Sequence, residues 1–393
     1  MRIGIMGAPI VNSNHGCEAL LYSLLIELEK VSKQLGETFD YVIFDWKKGK
    51  NYIARLSKET GVPSSHLHFA PYVLLQDPVR LFYHSIDLAQ MIHKIKSCDV
   101  IMDVTEGDSF SDIYGDAWFT GRTKVKLLCE KLGVTLILCP QTYGPYQKQK
   151  NLLLAKQAVE KADMVMGRDR ESVRIVQSMT SKKAVYVRDL AFSLPYHSYE
   201  INEGASGKKK LGLNASYLLY DNKEMKHRSF QLKTDYREFL FQLIDALLKQ
   251  DQYEIFLIAH VDEDLKVHEV LKQKFPTLHV IPAFRDPIEA KSCIADMDLF
   301  IGSRMHGLIA AWSTSTICIP VSYSRKFRDL FSGISYYVDV DLCTLTTIDA
   351  VKKTMGYVED ISKLEAMRKE GEAVCEDTSS IFSNSIRDYL SRL

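Results

Sequence analysis

The sequence predicts an α/β protein made of two doubly wound domains, each with a parallel sheet. Short β-branched and apolar runs alternate with amphipathic helical patterns along most of the chain, which is typical of parallel α/β folds. The length of 393 residues is enough for two domains with separate cores. A polar, glycine-containing and lysine-rich segment, YEINEGASGKKK, separates the two series of predicted strands and is predicted to be a linker.

The first series of strands is predicted in residues 1–198. Its helices include Cys17–Leu35, in which leucines recur at helical spacing on one face and Gly36 follows as a stop. The predicted strands are Arg2–Met6, Tyr41–Asp45, Val100–Val104, Thr135–Cys139, Met164–Gly167 and Ala184–Val187.

The second series is predicted in residues 211–346, after a linker over residues 199–210. A charged tail, residues 347–393, is predicted to be mostly helical. The predicted strands are Lys210–Asn214, Glu254–His260, His279–Pro282, Leu299–Ile301 and Ile317–Val321.

Composition excludes several classes of function. Fifty Lys and Arg residues balance fifty Asp and Glu residues, so no global basic field exists to hold nucleic acid, and any anion site must be local.

Cysteine usage indicates the cellular compartment. The eight cysteines form no CxxC pair, which favours buried free thiols and a reducing compartment. Neither a secretion signal nor an apolar run of membrane-spanning length is evident. We expect a cytoplasmic protein with at most peripheral association at the inner face of the membrane.

The stretch DLFIGSRMHGLIAAW carries the clearest chemical signal. It predicts a strand that ends near Ile301 and a helix that begins near Leu308, with Arg304 and His306 in the turn between them. A helix N-terminus favours anions, and the planar guanidinium of Arg304 suits a carboxylate or phosphate. Gly302 and Gly307 are predicted to let the backbone approach a ligand closely. A structural cap or a half-buried ring is the alternative interpretation of His306.

The next predicted strand delivers a second set of polar residues. ICIPVSYSRKFRDLF places Tyr323 and Lys326 directly after the strand Ile317–Val321. Because loops after successive parallel strands lie on one edge of a sheet, Arg304, His306 and Lys326 are predicted to converge on one anion. A solvated helix face is the preferred interpretation of the two other basic residues, Arg325 and Arg328.

With these loops in place, the chain resembles the polysaccharide pyruvyl transferase family. Seven motifs occur in the family's order: NHGCEAL (14–20), EGDSFSDIYG (106–115), PQTYGPY (140–146), GRDRES (167–172), DLAFSLP (189–195), SRMHGLIAA (303–311) and YSRK (323–326). The resemblance implies a GT-B-like fold with two Rossmann-like domains facing across a cleft. It also implies transfer of a pyruvyl group from phosphoenolpyruvate to two sugar hydroxyls, with formation of a ketal and release of phosphate.

The family pattern assigns roles to four residues. It makes Arg304 and Lys326 ligands of phosphoenolpyruvate, His306 the acid/base, and Arg168 a further cationic contact from the first domain. The chemistry needs such groups, because phosphoenolpyruvate carries a carboxylate and a phosphate on one carbon and its methylene must be protonated. The implied acceptor is a glycan or a lipid-linked sugar.

Two first-domain loops are predicted to face that acceptor. Asn14 and Glu18 follow the first strand, although capping of the helix by Asn14 and a dipole interaction by Glu18 are equally consistent. Asp108 and Asp112 follow the strand Val100–Val104 and suit sugar hydroxyls, with helix capping again as the alternative.

Three further first-domain residues lie in the motifs quoted above. Gln141 and Tyr143 are predicted to line the cleft, and Gln141 is an acceptor-side candidate. Asp189 is predicted to be structural, and the Arg188 that precedes it inherits no role from the family pattern.

No metal or redox cofactor is expected. The acids Asp103, Asp108, Asp112 and Asp116 have neither calcium-loop nor zinc spacing, and GIMGAPI is not a dinucleotide-binding fingerprint. The alternative function is a GT-B glycosyltransferase or nucleotide-sugar 2-epimerase, which shares the architecture. A non-catalytic sugar-binding protein is the third interpretation, although it would not need Arg304, His306 and Lys326 together.

Overall fold

A computed structural model of the chain describes residues 1–10, 14–45, 52–201, 207–221, 231–374 and 378–393. The chain divides into two units. The first contains Met1–Asn12, Cys17–Ser193 and Asp377–Leu393, and the second contains Ser13–Gly16 and Leu194–Glu376. The described residues 14–16 are therefore part of the second unit, although His15 and Gly16 begin the helix His15–Leu35, whose other residues belong to the first.

The first unit is built on a seven-stranded parallel sheet. Its strands are β1 (Arg2–Met6), β2 (Asp40–Asp45), β3 (Leu67–Pro71), β4 (Val100–Asp103), β5 (Thr135–Gln141), β6 (Met164–Gly167) and β7 (Val185–Tyr186), in the order β3-β2-β1-β4-β5-β6-β7. The strand order reverses between β1 and β4, which pair in the register Ile3 to Val100. The helices are His15–Leu35, Ile53–Thr60, Pro78–Tyr83, Ser85–Lys96, Asp116–Lys131, Gln149–Lys161, Arg170–Met179 and Thr378–Leu390.

Apolar periodicity explains how the first long helix packs. Leu20, Leu24 and Leu28 recur every four residues on His15–Leu35 and are fully buried. The C-terminal helix adds a polar contact to the same helix, because the Ser383 hydroxyl donates to Glu27 Oε2 at 2.7 Å. Both contacts lie within the first unit.

The second unit is built on a six-stranded parallel sheet. Its strands are β8 (Lys209–Asn214), β9 (Tyr253–Leu257), β10 (His279–Val280), β11 (Leu299–Gly302), β12 (Ile317–Ser322) and β13 (Val340–Asp341), in the order β10-β9-β8-β11-β12-β13. Gly302 at the end of β11 pairs with Asn214 of β8 and with Pro320 of β12. The helices are Tyr217–Tyr220, Tyr236–Gln250, Leu265–Lys274, Pro287–Ala295, Met305–Ser313, Arg325–Ser332, Thr347–Glu359 and Ile361–Val374.

The predicted fold class is confirmed, since the chain forms two parallel α/β sheets. Eleven predicted strands occur within a few residues of their predicted bounds, whereas β3 and β13 were missed. The run 254–260 ends as a strand at Leu257, so that His260 lies in the following loop. That difference matters for the site described below.

The division of the chain differs from the predicted domain boundaries at its end. The predicted tail, residues 347–393, forms three helices, but the first two belong to the second unit and the last belongs to the first. Part of the predicted linker, residues 202–206, lies outside the described residues. The strand β8 begins near the end of the predicted linker, at Lys209.

None of the described helices combines the length and the apolar character that a membrane crossing requires.

Candidate functional site

Four loops of the second unit meet at the carboxyl edge of its sheet. Strands β9, β8, β11 and β12 are consecutive neighbours and all parallel, so their C-terminal ends lie side by side. Asn214 ends β8, His260 follows β9, Arg304 follows β11, and Lys326 follows β12. This is the edge at which open α/β sheets bind ligands.

Arg304 is held at the start of the helix Met305–Ser313. Its backbone N–H donates to Asn214 Oδ1 at 3.0 Å. Its guanidinium forms a two-point contact with Asp264, through Nη2 to Oδ1 at 2.7 Å and Nε to Oδ2 at 3.1 Å. Burial disfavours the charged form, but the Asp264 carboxylate outweighs it and raises the pKa of Arg304. The guanidinium is thus permanently charged and fixed in orientation.

Asp264 was not found from the sequence. It lies in the short 3-10 helix Asp262–Asp264 after β9 and is fully buried. Its Oδ1 also accepts from the backbone N–H of Tyr217 at 2.8 Å. The only sequence signal was a carboxylate in the loop after a predicted strand, forty residues away from its partner.

The glycines around Arg304 are closely packed against the Phe300 ring. A Cβ added at Gly302 would lie 2.8 Å from the Phe300 ring, and one added at Gly307 would lie 3.2 Å from it. The prediction that these two glycines let the backbone approach a ligand stays a prediction. They make room for the aromatic ring of Phe300, which is itself fully buried.

His306, in the first turn of the helix Met305–Ser313, stands against residues 14–16. A Cβ added at Gly16 would overlap the His306 imidazole, so this position has no room for a side chain. Asn14 forms an antiparallel bridge with Val261. The Asn14 side chain accepts from the Gly16 N–H at 3.0 Å, which is the capping interaction proposed as its alternative role.

His260 is the functional candidate that the sequence interpretation missed. It is 4 % exposed, and neither ring nitrogen has a hydrogen-bond partner among the described residues. Its ring centroid lies 6.2 Å from that of His15. Burial lowers the pKa of His260 well below its ordinary value, and the nearby His15, His306 and Arg304 lower it further. The imidazole is therefore neutral at neutral pH.

Lys326 occupies the first turn of the helix Arg325–Ser332 and contacts aromatic residues. Its Nζ lies 5.3 Å from the centroid of the Tyr323 ring and 5.7 Å from that of Phe327. Tyr323 also interacts electrostatically with Arg304, so it is near both cations. Convergence of Arg304, His306 and Lys326 on one anion stays a prediction. The neighbouring Arg325 pairs with Asp329 on its own helix at 2.6 Å.

Arg168, in the first unit, is buried in a polar network. Its Nη1 donates to Asp189 Oδ2 at 2.7 Å, and its Nε donates to the Thr142 hydroxyl at 2.7 Å. Burial opposes the charge, yet the carboxylates of Asp189, Asp108 and Asp169 raise the pKa of Arg168 overall. Its role as a ligand of phosphoenolpyruvate stays a prediction. Asp189 has the structural contacts expected of it, since its other oxygen accepts from the Ala191 N–H at 2.9 Å.

The two acceptor-side aspartates have different surroundings. The carboxylate of Asp112 accepts from the backbone N–H groups of Gln147 and Lys148 and from the Asn151 amide, all within 3.1 Å. Asp112 thus holds the start of the helix Gln149–Lys161, and not that of the next helix, Asp116–Lys131, as its alternative role proposed. Asp108 is half-buried and accepts from the Tyr114 hydroxyl at 2.8 Å.

Gln141 and Tyr143 do not line an open surface. Both are fully buried, and the Gln141 amide donates to the carbonyl oxygens of Asp103 and Cys139 at 3.1 Å. The prediction that this pair lines a cleft is therefore wrong for the residues as placed. Glu18 is also buried and lies 3.7 Å from the guanidinium of Arg55.

A buried ionic cluster in the first unit was not anticipated. Lys126 Nζ lies 2.9 Å from Asp103 Oδ1 and donates to the Thr105 hydroxyl at 2.6 Å. One helical turn earlier, Arg122 Nη2 lies 2.5 Å from Glu106 Oε1. Arg122 and Lys126 are each only 1 % exposed. Their spacing of four residues on the helix Asp116–Lys131 was the available signal.

The turn that carries this cluster has an unusual backbone. Thr105 and Glu106 have φ values of 40° and 53°, in the left-handed region that side chains other than glycine rarely adopt. The Glu106 N–H donates to the Gly7 carbonyl at 2.6 Å, which helps hold this conformation. Such strained turns concentrate at functional sites. The turn lies at the β1–β4 switch point of the sheet, where ligands commonly bind.

The described residues contain no cluster of three or more His, Cys, Asp or Glu side chains suited to a metal ion. His15, His260 and His306 thus lie near one another without forming such a cluster. The expectation that no cofactor is needed stays a prediction.

Comparison with solved structures indicates how widely this architecture is shared. The MnaA–UDP structure from S. aureus matches all of this chain and 97 % of its own, with a TM-score of 0.63 and 12 % identity. UDP-GlcNAc 2-epimerase from Neisseria meningitidis bound to UDP-GlcNAc matches 98 % of this chain and 99 % of its own, with a TM-score of 0.59 and 11 % identity. At such identity the likeness shows a GT-B-like fold and no more.

Sequence comparison is more specific. The amylovoran biosynthesis protein AmsJ of Erwinia amylovora is 20 % identical over 300 residues, which cover 71 % of this chain and 70 % of AmsJ. The family model of polysaccharide pyruvyl transferases matches residues 14–325, a range that includes the Arg304–His306 loop and the first-unit loops described above. The chain therefore belongs to the polysaccharide pyruvyl transferase family, whose members are transferases that modify polysaccharides.

Proposed function

We propose that the protein transfers the pyruvyl group of phosphoenolpyruvate onto two hydroxyls of a sugar. Family membership supports a transferase that modifies a polysaccharide. The observation that carries the finer proposal is the pairing of a fixed guanidinium with an imidazole two residues later. Arg304 is oriented by Asp264 at a helix N-terminus, and His306 follows in the first turn of that helix.

The reaction forms two C–O bonds and breaks one. A proton is added to the methylene carbon of phosphoenolpyruvate, which becomes the methyl group. Both sugar oxygens bond to the adjacent carbon, and the bond from that carbon to the phosphate oxygen breaks. Of the two hydroxyl protons, one is accounted for by the methyl group and the other by the released phosphate.

His306 is the proposed proton donor and acceptor. An acid is needed at the methylene carbon, and general acid–base help of this kind contributes about 10²–10⁴-fold. The buried neighbour His260 is kept neutral by its surroundings, so it offers a polar ring without adding a second positive charge. We propose that His260 holds the ring of His306 or a substrate oxygen in place.

Arg304 and Lys326 are the proposed ligands of the donor anion. An arginine has five N–H donors, and the contact with Asp264 uses two of them, so the guanidinium retains donors for a second anion. The N-terminus of the helix Met305–Ser313 adds backbone N–H groups with a favourable dipole. Cations on the departing phosphate stabilise the charge that develops there. Arg168 is proposed as a further contact.

The proposed acceptor is a glycan or a lipid-linked sugar, with Glu18 and Asp108 of the first unit as candidate ligands. Asn14, which belongs to the second unit, stays a further candidate. We also propose a cytoplasmic location, with at most peripheral association at the inner face of the membrane. The proposed mechanism uses no cofactor.

Phosphate release tests the proposed function directly. The protein is incubated with phosphoenolpyruvate and polysaccharide fractions, and inorganic phosphate and the ketal methyl signal in proton NMR are measured together. Release of phosphate with a matching ketal signal supports the proposal. Calorimetry with phosphoenolpyruvate, UDP-sugars and GDP-sugars can contradict the proposal. Tight binding of a nucleotide sugar, without any response to phosphoenolpyruvate, would favour a glycosyltransferase or an epimerase.

A further inference from the structure

The first unit contains a cavity of about 340 Å³ that the proposed mechanism does not use. It lies between the segment after β3 and the helix Asp116–Lys131. The described residues that line it are Pro71, Tyr72, Val73, Leu74, Gln76, His84, Asp87 and Trp118. Its volume is at the small end of the range of about 300–1,000 Å³ that is typical of small-ligand sites.

Trp118 is the aromatic surface of this cavity, and it is held in place from behind. The guanidinium carbon of Arg122 lies 3.4 Å from the centroid of the Trp118 ring. Arg122 is itself buried and bonded to Glu106, which accepts at its other oxygen from the Ser109 hydroxyl at 2.8 Å. Trp118 nevertheless remains 38 % exposed. One face of the indole is thus fixed to the protein while part of the ring stays open to a ligand.

The lining selects against an anion. Among the described residues that line the cavity there is no lysine or arginine; Asp87 contributes a carboxylate, and His84, whose Nδ1 lies 3.4 Å from Asp87 Oδ2, contributes an imidazole. A phosphate or a carboxylate would be repelled by that charge. Phosphoenolpyruvate and the diphosphate of a nucleotide sugar are therefore poor candidates for this cavity.

The same lining suits a neutral sugar. The Trp118 ring, which is 38 % exposed, offers an apolar face to the C–H groups of a pyranose, and the buried Tyr72 forms part of the wall. The Gln76 amide and the Asp87 carboxylate supply donors and acceptors for hydroxyls. An apolar site with a few convergent polar groups is the usual form of a small-molecule pocket.

The cavity is also connected to the loop predicted to face the acceptor. Glu106, the partner of Arg122, begins the segment 106–112 that follows β4. Electrostatic coupling of Tyr72 with Asp103, Arg122 and Glu106 confirms that the cavity wall and this cluster are neighbours. A ligand on Trp118 would therefore rest one side chain away from the strained turn.

We propose that the cavity around Trp118 is a binding subsite for a neutral pyranose residue of the acceptor glycan. This inference rests on the proposed function for the identity of the acceptor. The subsite would hold a sugar by contact with the indole face and by hydrogen bonds to Gln76 and Asp87. It would position the glycan and take no part in the proton transfers.

Saturation-transfer NMR tests the subsite with four probes, the methyl glycosides of glucose, galactose, mannose and N-acetylglucosamine. Wild-type protein is expected to give a signal with at least one of them. Trp118→Ala should weaken that glycoside's binding at least about tenfold, as expected for loss of a central aromatic contact. Gln76→Ala, which leaves the packing of Trp118 on Arg122 intact, should also weaken it. Tyr337→Ala, a change of an aromatic residue that is 69 % exposed in the second unit, is the matched control.

Absence of any signal with wild-type protein, or an unchanged signal in both Trp118→Ala and Gln76→Ala, would overturn the inference. Calorimetry with phosphoenolpyruvate on the same preparations separates this failure from failure of the proposed function. Binding of phosphoenolpyruvate without glycoside binding removes the subsite and leaves the proposed function standing. Glycoside binding that depends on Trp118, without binding of phosphoenolpyruvate, would support the sugar subsite and count against the proposed function.

Discussion

The carboxyl edges of the two sheets surround their buried cations with different groups. In the first unit the cations at this edge are matched by carboxylates, as in the pairs Lys126–Asp103 and Arg168–Asp189. In the second unit Arg304 is likewise paired with a carboxylate, Asp264, but it also lies near imidazoles that include His260 and His306. The folds are alike, yet the cations named at the first edge have carboxylate and hydroxyl partners, whereas Arg304 has imidazole neighbours as well.

This difference suggests a division of labour. Buried ion pairs fix side chains in place but leave few donors for a ligand, so the first edge is suited to shape and to neutral groups. An edge with a partly buried guanidinium and imidazoles can accept an anion and move a proton. The proposed assignment of acceptor to the first unit and donor to the second follows from this contrast.

The largest expected effect is on turnover at the second edge. His306→Ala should lower kcat by about 10²–10⁴-fold because the proposed proton donor is removed, while phosphoenolpyruvate still binds Arg304 and Lys326. Phosphate release gives kcat, and calorimetry gives affinity. His93→Ala, a change of an exposed histidine in the first unit that does not line the cavity around Trp118, is the control. Unchanged turnover in His306→Ala would remove this residue from the mechanism.

Removing one carboxylate from each edge compares their ion pairs directly. Asp189→Asn strands Arg168, whose side chain is 2 % exposed, and should lower the free energy of unfolding by about 3–5 kcal/mol. Asp264→Asn removes the carboxylate partner of Arg304, whose side chain is 16 % exposed and can be hydrated. The free energy of unfolding is therefore expected to fall by about 1.5–3 kcal/mol. Urea unfolding measures both values.

Activity separates these two variants further. Asp264→Asn should also raise the KM for phosphoenolpyruvate, because Arg304 loses its fixed orientation. Asp245→Asn, which breaks an exposed pair with Lys249, should change stability by no more than about 1 kcal/mol and serves as the control. Equal stability losses for Asp189→Asn and Asp264→Asn would contradict the contrast drawn between the two edges.

Acid should weaken the second unit through its buried histidines. Burial lowers the pKa of His268 to about 4, although Asp264 acts in the opposite direction. An unfolded imidazole has a pKa of about 6.5, so between pH 6.5 and 4 the unfolded chain binds the proton first. The stability that the neutral His268 contributes is therefore complete above about pH 6.5 and is lost as the pH falls, by about 3 kcal/mol in total.

Unfolding free energies at pH 7, 6, 5 and 4 test this pH dependence. His268→Gln should show a flatter decline than the wild type over this range, whereas His84→Gln should match the wild type because His84 is 51 % exposed. Parallel curves for all three proteins would show that His268 does not carry the effect.

The smallest expected effect concerns the close packing of Gly16 against His306. In Gly16→Ala the new methyl group would overlap the imidazole and displace it, so kcat should fall by about ten- to a hundredfold. Gly356→Ala, in the helix Thr347–Glu359, is the matched control, because its added methyl meets no atom within 4 Å. That control should gain up to about 1 kcal/mol of stability. Normal turnover in Gly16→Ala would show that the position of His306 tolerates movement.

The comparison also shows where sequence patterns were informative. Strands such as Arg2–Met6 and Met164–Gly167 were predicted with their observed bounds, because buried parallel strands are continuous apolar runs between polar turns. Leu67–Pro71 and Val340–Asp341 were missed, since the first contains a proline and histidine at a sheet edge and the second has two residues.

The sequence by itself determined the two parallel sheets, the turn that carries Arg304 and His306, and the family. These depend on local periodicity and on contiguous motifs. Only the tertiary structure decided which groups surround that turn: Asp264 beside Arg304, His260 beside His306, and Phe300 in the space left by the two glycines. Strand order brings these residues together across dozens of positions, and a single sequence carries no record of which distant loops become neighbours.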